Sequence, residues 1–486
     1  MKNFHVTLLP QNVILSAAEG ENLLALLQKA GAAPAAPCGG NGKCGKCRVT
    51  VDGEIKSACK VTIDRNLTVI LPETAPMTAV AAFSETLSTD GSADLALAID
   101  LGTTTVAGYL LDGKNGKCLA HMGLPNPQAS FGGDVISRIH HVLRTGDSRL
   151  TQIVLDTFNT LALRLSEKAA VSPERITSIC LAANPAMHHL ALGVDPKPLT
   201  VPPYMPGVFH SLVQGEGWLV ACPRAKIRVL PNIAGFVGGD TVACMVATQL
   251  EKRQEVTLLL DIGTNGELVL ATPKGRIACS CAAGPALEGA GILHGMSATE
   301  GAIDRVWLEN GRVCIHTVGE SPATGICGTG ILDLIAVLLD LGVVDSTGYM
   351  PEKEYTIPGT EIVLTRQDIR QVQLAKSAIR TGVELLCQEM GMDVAEIQQV
   401  LLAGAFGSHV QSSSVCRLGL LPPVLQERTL AVGNAAGVGA AICALEEKAF
   451  AEAEALARQT RFLELASCPD FQDRYVENLN FEVSAV

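Results

Sequence analysis

The residues most capable of chemistry are four cysteines that lie close together, within positions 38–59. The rest of the 16 cysteines are scattered along the chain. The four close cysteines follow the pattern Cys38-x5-Cys44-x2-Cys47-x11-Cys59, inside the segment CGGNGKCGKC. Three close cysteines and one distant cysteine are typical of a [2Fe–2S] cluster, which is held by four thiolates. The intervening glycines let a loop wrap around such a cluster and point its amides at the sulfurs. We therefore expect these four cysteines to be cluster ligands.

A zinc site and ordinary thiols are the alternatives for these cysteines. Structural zinc sites use paired C-x2–4-C units, and this loop contains only one such pair, Cys44 and Cys47. The loop also contains Gly40-x4-Gly45-Lys46, which is similar to a nucleotide-binding P-loop. Cys47 follows where a P-loop has the Ser or Thr that binds Mg²⁺, so we reject this match.

Two other segments share the pattern Asp-x-Gly-Thr at the end of an apolar strand. They begin at Asp100 and Asp261 and read DLGTTT and DIGTNG. Gly102 and Gly263 would let backbone amides approach phosphate oxygens, and the neighbouring Thr and Asn side chains add donors. The two carboxylates can hold Mg²⁺ or its waters and orient an attacking water. One copy alone is typical of a plain turn, but two copies in matching contexts predict a nucleotide site.

A third segment, Val400–Ser408, reads VLLAGAFGS. It predicts a buried strand that runs into a turn flanked by Gly404 and Gly407. These glycines would allow a flat base and a ribose to lie against the backbone. Taken alone, the segment is equally typical of an ordinary strand–turn–helix junction.

The elements that must position these motifs fall into distinct regions. Residues 1–73 combine short strands with a helix at Glu21–Ala30 and predict a small β-grasp domain around the cysteines. Residues 74–94 are small, polar and interrupted by Pro and Gly, which predicts a linker. The strands of the first region are expected at Phe4–Leu9, Arg48–Val51 and Thr68–Leu71.

An internal repeat begins at Leu95. Leu95–Ala120 and Val256–Cys281 each predict an apolar strand ending in Asp, a Gly-Thr turn and two more strands joined by a hairpin. A repeat of this length indicates a duplicated domain. We expect an α/β fold with two similar halves, lobe I (95–255) and lobe II (256–486, with a C-terminal extension), and a ligand in the cleft between them. Helices are predicted at Thr151–Ala170, Gly330–Leu341 and Asp368–Met390.

Length, composition and charge narrow the classes of function. The chain has 486 residues, is 48% hydrophobic and 18% charged, and is thus expected to form several compact domains. A net charge of −12 argues against nucleic-acid binding, which needs clustered Lys and Arg. No N-terminal stretch reads as a signal peptide, and no run approaches the roughly 18–20 apolar residues that span a bilayer. The expected location is the cytoplasm, without membrane contact.

The order of these motifs resembles that of the actin, hexokinase and heat-shock chaperone superfamily, in which two phosphate loops precede an apolar strand and a Gly-rich turn. With the cysteine region in front, nearly the whole chain resembles the reductive activators of corrinoid proteins. The spacing of Cys38 and Cys44 is similar to that in adrenodoxin-type ferredoxins. Other segments typical of these activators are Phe131–Arg138, Asn232–Asp240, Gly284–Ala290 and Gly325–Gly330.

The chain is identified as a shortened member of this family. Larger members have an extra domain between the ferredoxin unit and the nucleotide-binding region, where only the short linker lies here. The segment Ala183–Met187 also departs from the Gly-Asn-Thr expected at that place. The resemblance implies a β-grasp ferredoxin-like domain followed by a duplicated, actin-like (ribonuclease-H-like) two-lobe nucleotide-binding domain.

The resemblance also implies roles for individual residues. Cys38, Cys44, Cys47 and Cys59 would ligate the cluster. The first phosphate loop would consist of Asp100, Gly102, Thr103 and Thr104. The second would consist of Asp261, Gly263, Thr264 and Asn265. The turn facing the adenosine would consist of Gly404, Ala405 and Gly407.

The implied activity is ATP-dependent transfer of one electron from a [2Fe–2S] cluster to Co(II), which regenerates Co(I) for methyl transfer. The cofactors would be the cluster, ATP and Mg²⁺. The partners would be a corrinoid protein of a methyltransferase system and a low-potential donor such as ferredoxin or flavodoxin, and a homodimer is allowed. One alternative is an activator of another metalloenzyme, such as a dehydratase, although such activators lack a ferredoxin domain. A small-molecule kinase fused to a ferredoxin domain is the other alternative.

Several further polar residues are expected to have ordinary structural roles. His188 and His189 lie in an apolar helical stretch without a carboxylate at metal spacing. Cys279 and Cys281 alternate along a predicted strand, as buried cysteines often do. Cys327 lies in a Gly-rich turn, where a reactive thiol is the less favoured alternative.

Overall fold

The N-terminal unit of the computed structural model is a five-stranded sheet with one helix on it, in the strand order β2-β1-β5-β3-β4. β1 pairs in parallel with β5 at the centre, as expected for a β-grasp domain. Its elements are β1 (Asn3–Leu9), β2 (Val13–Ala18), α1 (Leu23–Lys29), β3 (Arg48–Val51), β4 (Glu54–Ser57) and β5 (Leu67–Ile70). The structure describes residues 2–10, 12–36, 38–72, 86–289, 291–404 and 410–482.

Helix α1 forms because its sequence supplies both a cap and an apolar face. The side chain of Asn22 accepts a hydrogen bond from the Ala25 amide, which caps the helix. Its leucines are buried against the sheet, and the predicted helix is confirmed. The buried leucines are Leu23, Leu24, Leu26 and Leu27.

Lobe I contains a six-stranded sheet in the order β10-β11-β9-β6-β7-β8. The antiparallel meander β6-β7-β8 is joined by β9, which runs parallel to β6. The elements are β6 (Leu95–Leu101), β7 (Thr105–Asp112), β8 (Cys118–Pro125), α2 (Val135–Thr145), α3 (Arg149–Lys168), β9 (Ile176–Ala183), α4 (Pro185–Leu192), β10 (Leu212–Gln214), β11 (Lys226–Val229) and α5 (Gly239–Ala247).

Lobe II repeats this plan with a six-stranded sheet in the order β21-β20-β12-β13-β14-β22. Its elements are β12 (Thr257–Ile262), β13 (Gly266–Thr272), β14 (Gly275–Cys281), β15 (Ala302–Glu309), β16 (Arg312–Thr317), β17 (Gly325–Ile326), α6 (Gly328–Asp340), β18 (Glu354–Thr356), β19 (Val363–Thr365), α7 (Arg366–Glu389), β20 (Gln399–Ala403), α8 (Ser412–Arg417), β21 (Thr429–Gly433), α9 (Ala435–Leu445), α10 (Glu447–Gln459), β22 (Thr460–Phe462) and α11 (Phe471–Glu477).

The internal repeat predicted from the sequence is confirmed by the register of the two sheets. Asp100 of β6 lies beside Ala182 of the parallel strand β9. Asp261 of β12 lies beside Ala403 of the parallel strand β20. Both aspartates therefore occupy the same position, near the carboxyl end of a central strand, which is where ligands bind in sheets of this kind.

Residues 73–85, most of the predicted linker 74–94, lie outside the described residues. The remainder runs along lobe I, where the Leu87 amide donates to the Gly116 carbonyl at 3.1 Å. The Thr89 hydroxyl donates to the Gly113 carbonyl at 2.7 Å. No helix within the described ranges has the length and apolar character needed to cross a bilayer.

Helix α9 joins the two lobes, because it follows a strand of lobe II but packs on β6, β9 and α5 of lobe I. Its sequence, AAGVGAAICAL, consists largely of small residues. A Cβ atom on Gly439 would lie 1.9 Å from the Ala243 carbonyl oxygen, so α5 and α9 touch through their backbones. Only glycine permits this approach, and the crossing is one of the connections between the lobes.

Gly439→Ala is expected to destabilise the protein, although alanine is the better helix former by about 1 kcal/mol. The added methyl group cannot fit against the Ala243 carbonyl, so α9 must shift, at a cost of about 1–3 kcal/mol. Thermal unfolding measures the effect. Val438→Ala, at a half-buried position of the same helix, is the control and should change stability little. An equal or higher melting temperature for Gly439→Ala would contradict the close crossing.

Candidate functional site

The cysteine loop, residues 38–47, connects α1 to β3 and depends on glycine for its shape. Its four glycines all have positive φ, which few other residues adopt. At Gly40, φ is +82° and a Cβ would lie 3.1 Å from a methyl group of Leu24. The loop therefore folds back over α1. The four φ values are 61° at Gly39, 82° at Gly40, 73° at Gly42 and 64° at Gly45.

The four thiols form two pairs. The sulfurs of Cys38 and Cys44 lie 3.3 Å apart, and the thiols of Cys47 and Cys59 are hydrogen-bonded to each other. Among the described residues, no three His, Cys, Asp or Glu side chains converge on one point as a single ion would require. A two-iron cluster takes two thiolates on each iron, so the paired arrangement fits that cluster better than one zinc ion.

The loop backbone favours a thiolate at Cys38. Burial opposes ionisation, but hydrogen bonds from the amides of Cys44, Lys43 and Asn41 and from the Cys44 thiol outweigh it. Together they lower the pKa of Cys38 to about 6. Burial and the hydrogen bond with Cys47 instead raise the pKa of Cys59. Since the thiolate is the form that binds metal, amides already aimed at a sulfur are suited to a cluster ligand.

The predicted phosphate loops are tight turns at matching positions of the two sheets, but the first closes over three residues and the second over two. The Gly102 amide donates to the Thr105 carbonyl at 2.9 Å, and the Gly263 amide donates to the Asn265 carbonyl at 2.9 Å. A Cβ on Gly102 would lie 2.8 Å from the Thr105 carbonyl oxygen, so the first turn requires glycine. Both turns follow a central strand directly, as the sequence predicted.

The acidic cluster consists of Asp100, Asp240 and Asp261, three partly buried carboxylates in the cleft. Burial, together with the charge of Asp240, raises the pKa of Asp100 to about 7 and that of Asp261 to about 7. Burial likewise raises the pKa of Asp240 to about 6. A nearby cation would relieve the repulsion between carboxylates that resist ionising together, and oxygen ligands suit Mg²⁺. Asp240 was not among the predicted site residues.

Asp240→Asn is expected to stabilise the nucleotide-free protein increasingly as pH rises. Between about pH 4 and pH 6 the folded chain keeps a proton on Asp240 that the unfolded chain has released, so stability falls as pH rises. Asparagine does not titrate and avoids this loss, which is about 3 kcal/mol above pH 6. The difference in thermal unfolding between the variant and the unchanged chain, taken at pH 4.5 and at pH 8, measures this loss of stability. A pH-independent difference between variant and unchanged chain would contradict the acidic cluster.

Asn434 reaches Asp100 from lobe II. Its amide nitrogen donates to Asp100 Oδ2 at 2.9 Å and contacts the Tyr109 hydroxyl at 3.2 Å. Its side-chain oxygen accepts from the Gly437 amide and caps α9. The helix that joins the lobes therefore also orients a cleft carboxylate. An N-cap residue before an alanine-rich helix was the available sequence signal, and the prediction did not include it.

Glu288 connects the two predicted phosphate loops. Its Oε2 atom accepts from the Thr264 hydroxyl at 2.7 Å and from the Thr104 hydroxyl at 3.4 Å. Burial raises the pKa of Glu288, against the effect of both hydroxyls. Two predicted residues from different lobes thus meet at one carboxylate. The sequence prediction missed Glu288 as a site residue, although it lies in a segment typical of the family.

The remaining predicted site residues lie near the same cleft or outside the described part. The Thr103 hydroxyl accepts from the Asn184 side chain at 3.2 Å, in the first loop. Gly404, with φ +88°, lies directly behind the second loop, since a Cβ there would be 2.6 Å from Asp261 Oδ1. Ala405 and Gly407 lie outside the described residues.

The residues expected to be structural have structural contacts. His188 Nδ1 lies 2.7 Å from the side-chain nitrogen of Asn232, and His189 Nδ1 lies 2.6 Å from the Pro185 carbonyl oxygen. Cys279 and Cys281 belong to the core of lobe II. Cys327 is buried, as expected for a packing role.

Comparison with known families divides the chain into three matched parts. Residues 6–68 match the 2Fe-2S iron-sulfur cluster binding domain. Residues 95–253 match the RACo middle region, and residues 255–485 match the C-terminal domain of RACo, the ASKHA domain. The corrinoid activation enzyme RamQ of Eubacterium limosum is 32% identical over 417 residues, which are 79% of this chain and 70% of that enzyme. The chain belongs to the family of reductive activators of corrinoid proteins.

Other reductive activators support this assignment. The [Co(II) methylated amine-specific corrinoid protein] reductase of Methanosarcina barkeri is 28% identical over 366 residues, 67% of this chain and 65% of that protein. A solved reductive activator for corrinoid, iron-sulfur protein superposes with a TM-score of 0.74 at 28% identity, covering 98% of both chains. The ferredoxin-like and actin-like fold predicted from the sequence is therefore confirmed.

Proposed function

We propose that this chain couples ATP to the one-electron reduction of a corrinoid protein, returning its cobalt from Co(II) to Co(I) for methyl transfer. One observation carries the proposal: an iron–sulfur domain contacts lobe I of a two-lobed unit whose cleft contains two Asp-x-Gly-Thr turns and an acidic cluster. The relatives agree, since one is named a corrinoid activation enzyme and another a reductase of a Co(II) corrinoid protein.

The cysteine loop is proposed to hold the cluster in two pairs. Cys38 and Cys44 would ligate one iron, and Cys47 and Cys59 the other, as the pairing of the thiols suggests. A bound [2Fe–2S] cluster supplies single electrons, which matches the one-electron step from Co(II) to Co(I). The loop amides that already face Cys38 would lower the energy of its thiolate.

The cleft is proposed to bind Mg·ATP. Asp100, Asp240 and Asp261 do not converge on one point, so they would hold Mg²⁺ through its waters, which relieves their mutual repulsion. The hydroxyls of Thr104 and Thr264, which donate to Glu288 in this structure, would instead donate to phosphate oxygens from opposite sides of the cleft. Thr103 and Asn265, with Gly102 and Gly263, would contribute the rest of the two loops, and Gly404, Ala405 and Gly407 would face the adenosine.

ATP is needed because reduction of Co(II) is unfavourable for ordinary donors. A one-electron gap of about 59 mV costs tenfold in equilibrium, so the protein must favour a state of the complex in which Co(II) is easier to reduce. A nucleotide can do this only by binding that state more tightly. Residues from both lobes meet at Glu288, and Asn434 spans the lobes, so cleft closure is the natural movement that distinguishes the two states.

Other parts of the assignment stay predictions. A low-potential carrier such as ferredoxin or flavodoxin is the proposed donor, because it delivers single electrons. The division into residues 1–73, 74–94, 95–255 and 256–486 is proposed as the domain organisation. A homodimer and a cytoplasmic location also stay predictions.

The direct test follows cobalt by absorbance. The anaerobically purified chain, a Co(II) corrinoid protein and a low-potential reductant are combined with and without Mg·ATP. Faster or more complete formation of Co(I) with ATP is expected, and equal conversion would reject the coupling. Release of ADP that requires a small molecule but no protein partner would indicate the fused-kinase alternative.

A further inference from the structure

We propose that the segment Asn126–Arg138, here called the strap, links the placement of the cysteine loop to the first phosphate loop, with Arg138 as its positioning residue. The inference rests on the proposed binding of ATP at that loop. The strap runs from the end of β8 into α2 and lies between the N-terminal domain and the cleft.

One side of the strap holds the backbone of the first phosphate loop. The side-chain nitrogen of Asn126 donates to the Gly102 carbonyl at 2.8 Å, and the backbone amide of Asn126 donates to the Thr104 carbonyl at 2.8 Å. Arg138 Nη2 donates to the Thr103 carbonyl at 2.7 Å. Three consecutive carbonyls of the loop thus accept hydrogen bonds from the strap. These bonds keep the carbonyl oxygens turned away from an incoming phosphate, which they would otherwise repel. The conformation of the phosphate loop therefore depends on Asn126 and Arg138.

Arg138 also brings a buried positive charge beside the phosphate loop. The residue is 0% exposed, and its other acceptors, Gly132 O at 2.9 Å, Gln128 Oε1 at 3.5 Å and Met187 Sδ at 3.4 Å, are uncharged. The Asp134 carboxylate acts on it only from a distance and caps α2 instead. A buried cation without a paired anion is costly. An anionic ligand at the loop would compensate for that charge.

The other side of the strap holds the N-terminal domain. The Ala36 amide donates to the Ala129 carbonyl at 2.9 Å. The side-chain nitrogen of Gln28, on α1, donates to the Ser130 carbonyl at 2.5 Å. Ala36 lies two residues before Cys38, so these bonds fix the start of the cysteine loop against lobe I.

The middle of the strap is rigid enough to transmit a displacement. Residues Pro127–Ser130 form one turn of 3-10 helix, which the Asn126 side chain caps by accepting from the Gln128 amide at 3.0 Å. The buried Gln128 side chain donates to the Leu150 carbonyl at 3.0 Å. Asn126 thus donates to the phosphate loop and also caps the turn to which Ala36 and Gln28 of the N-terminal domain donate. A shift of the phosphate loop on binding nucleotide must therefore move this turn. By linkage, nucleotide changes the affinity of the N-terminal domain for the strap by the same factor by which that contact changes the affinity for nucleotide.

The test measures amide hydrogen exchange in the holo, full-length chain under anaerobic conditions, with and without Mg·ATP, while equilibrium dialysis measures ATP binding. In the unchanged chain, ATP is expected to alter exchange of the peptide that contains the Ala36 amide by about threefold or more. Gln28→Ala should remove most of this ATP response. Lys29→Ala, which shortens the adjacent side chain of α1 that pairs with Glu21 rather than with the strap, should keep it.

Arg138→Met tests the strap from the cleft side. It is expected to weaken ATP binding about tenfold or more and to abolish the ATP response at Ala36, and Arg138→Lys should recover part of the affinity by restoring the charge. If Arg138→Met does not fold, the comparison of Gln28→Ala with Lys29→Ala tests the strap instead, because only Gln28→Ala should lose the ATP response at Ala36. ATP binding to the unchanged chain without any exchange response overturns the strap alone. Absence of ATP binding overturns the proposed function as well.

Discussion

Cys44→Ala is expected to abolish electron delivery to the corrinoid protein while ATP binding stays within about threefold of that of the unchanged chain. The substitution removes the partner of Cys38, 3.3 Å away, and leaves one iron of the proposed cluster with a single thiolate. The cysteine loop belongs to a domain with its own core, which includes α1 and its sheet, so the cleft should keep its structure. Iron, acid-labile sulfide and visible absorbance report the cluster, and equilibrium dialysis reports ATP.

Cys314→Ala is the matched control for this experiment. Cys314 is also a free, partly exposed thiol, but it lies on β16 of lobe II, outside the cysteine loop. It should keep full iron and sulfide content and full reductase activity. A Cys44→Ala protein that retains the cluster and normal Co(I) formation would exclude Cys44 as a ligand, and zinc in place of iron in the unchanged chain would exclude the electron-transfer role.

Asp261→Asn is expected to give the opposite pattern, with an intact cluster and a loss of ATP-dependent reduction of about 100-fold, or about 3 kcal/mol. Asp261 lies at the end of β12 within the field of Asp100 and Asp240. Asparagine keeps the size of the side chain but cannot hold Mg²⁺ with a charged oxygen. Parallel measurements of ATP binding, ADP release and Co(I) formation resolve the effect.

Asp473→Asn is the control for Asp261→Asn, because Asp473 is an exposed carboxylate on α11 of the same lobe. It should change neither ATP binding nor reduction. Full ATP-dependent reduction by the Asp261→Asn protein would place the nucleotide chemistry elsewhere. Together, the Cys44 and Asp261 variants separate the electron-transfer half of the activity from its nucleotide half.

Local motifs made much of this molecule predictable. The cysteine loop was recognisable because glycines at fixed offsets from Cys38 permit positive φ, and all four of them adopt it. The two Asp-x-Gly-Thr turns were recognisable because each follows an apolar strand, and the repeat around Asp100 and Asp261 reproduces the same register in both sheets. In each case, neighbours in sequence supply the determining contacts.

The missed residues depend on contacts between distant parts of the chain. Glu288 became visible only when the two lobes brought Thr104 and Thr264 to the same carboxylate. Asn434 is 334 positions from Asp100, to which it donates. The bond between Ala36 and Ala129 likewise depends on how two domains meet. The N-cap position of Asn434 and the family segment around Glu288 were visible in the sequence, but periodicity contains no information about which distant residues they contact, so these pairings could not be predicted.

The lowered pKa of Cys38 has a consequence for how the protein is handled. With a pKa of about 6, this sulfur is largely ionised at neutral pH even before any iron arrives. In material expressed faster than iron is delivered, this thiolate would react with alkylating reagents, glutathione and dissolved oxygen. A preparation made in air is therefore expected to carry Cys38 as a mixed disulfide, which a thiol reductant must reduce before reconstitution with iron and sulfide.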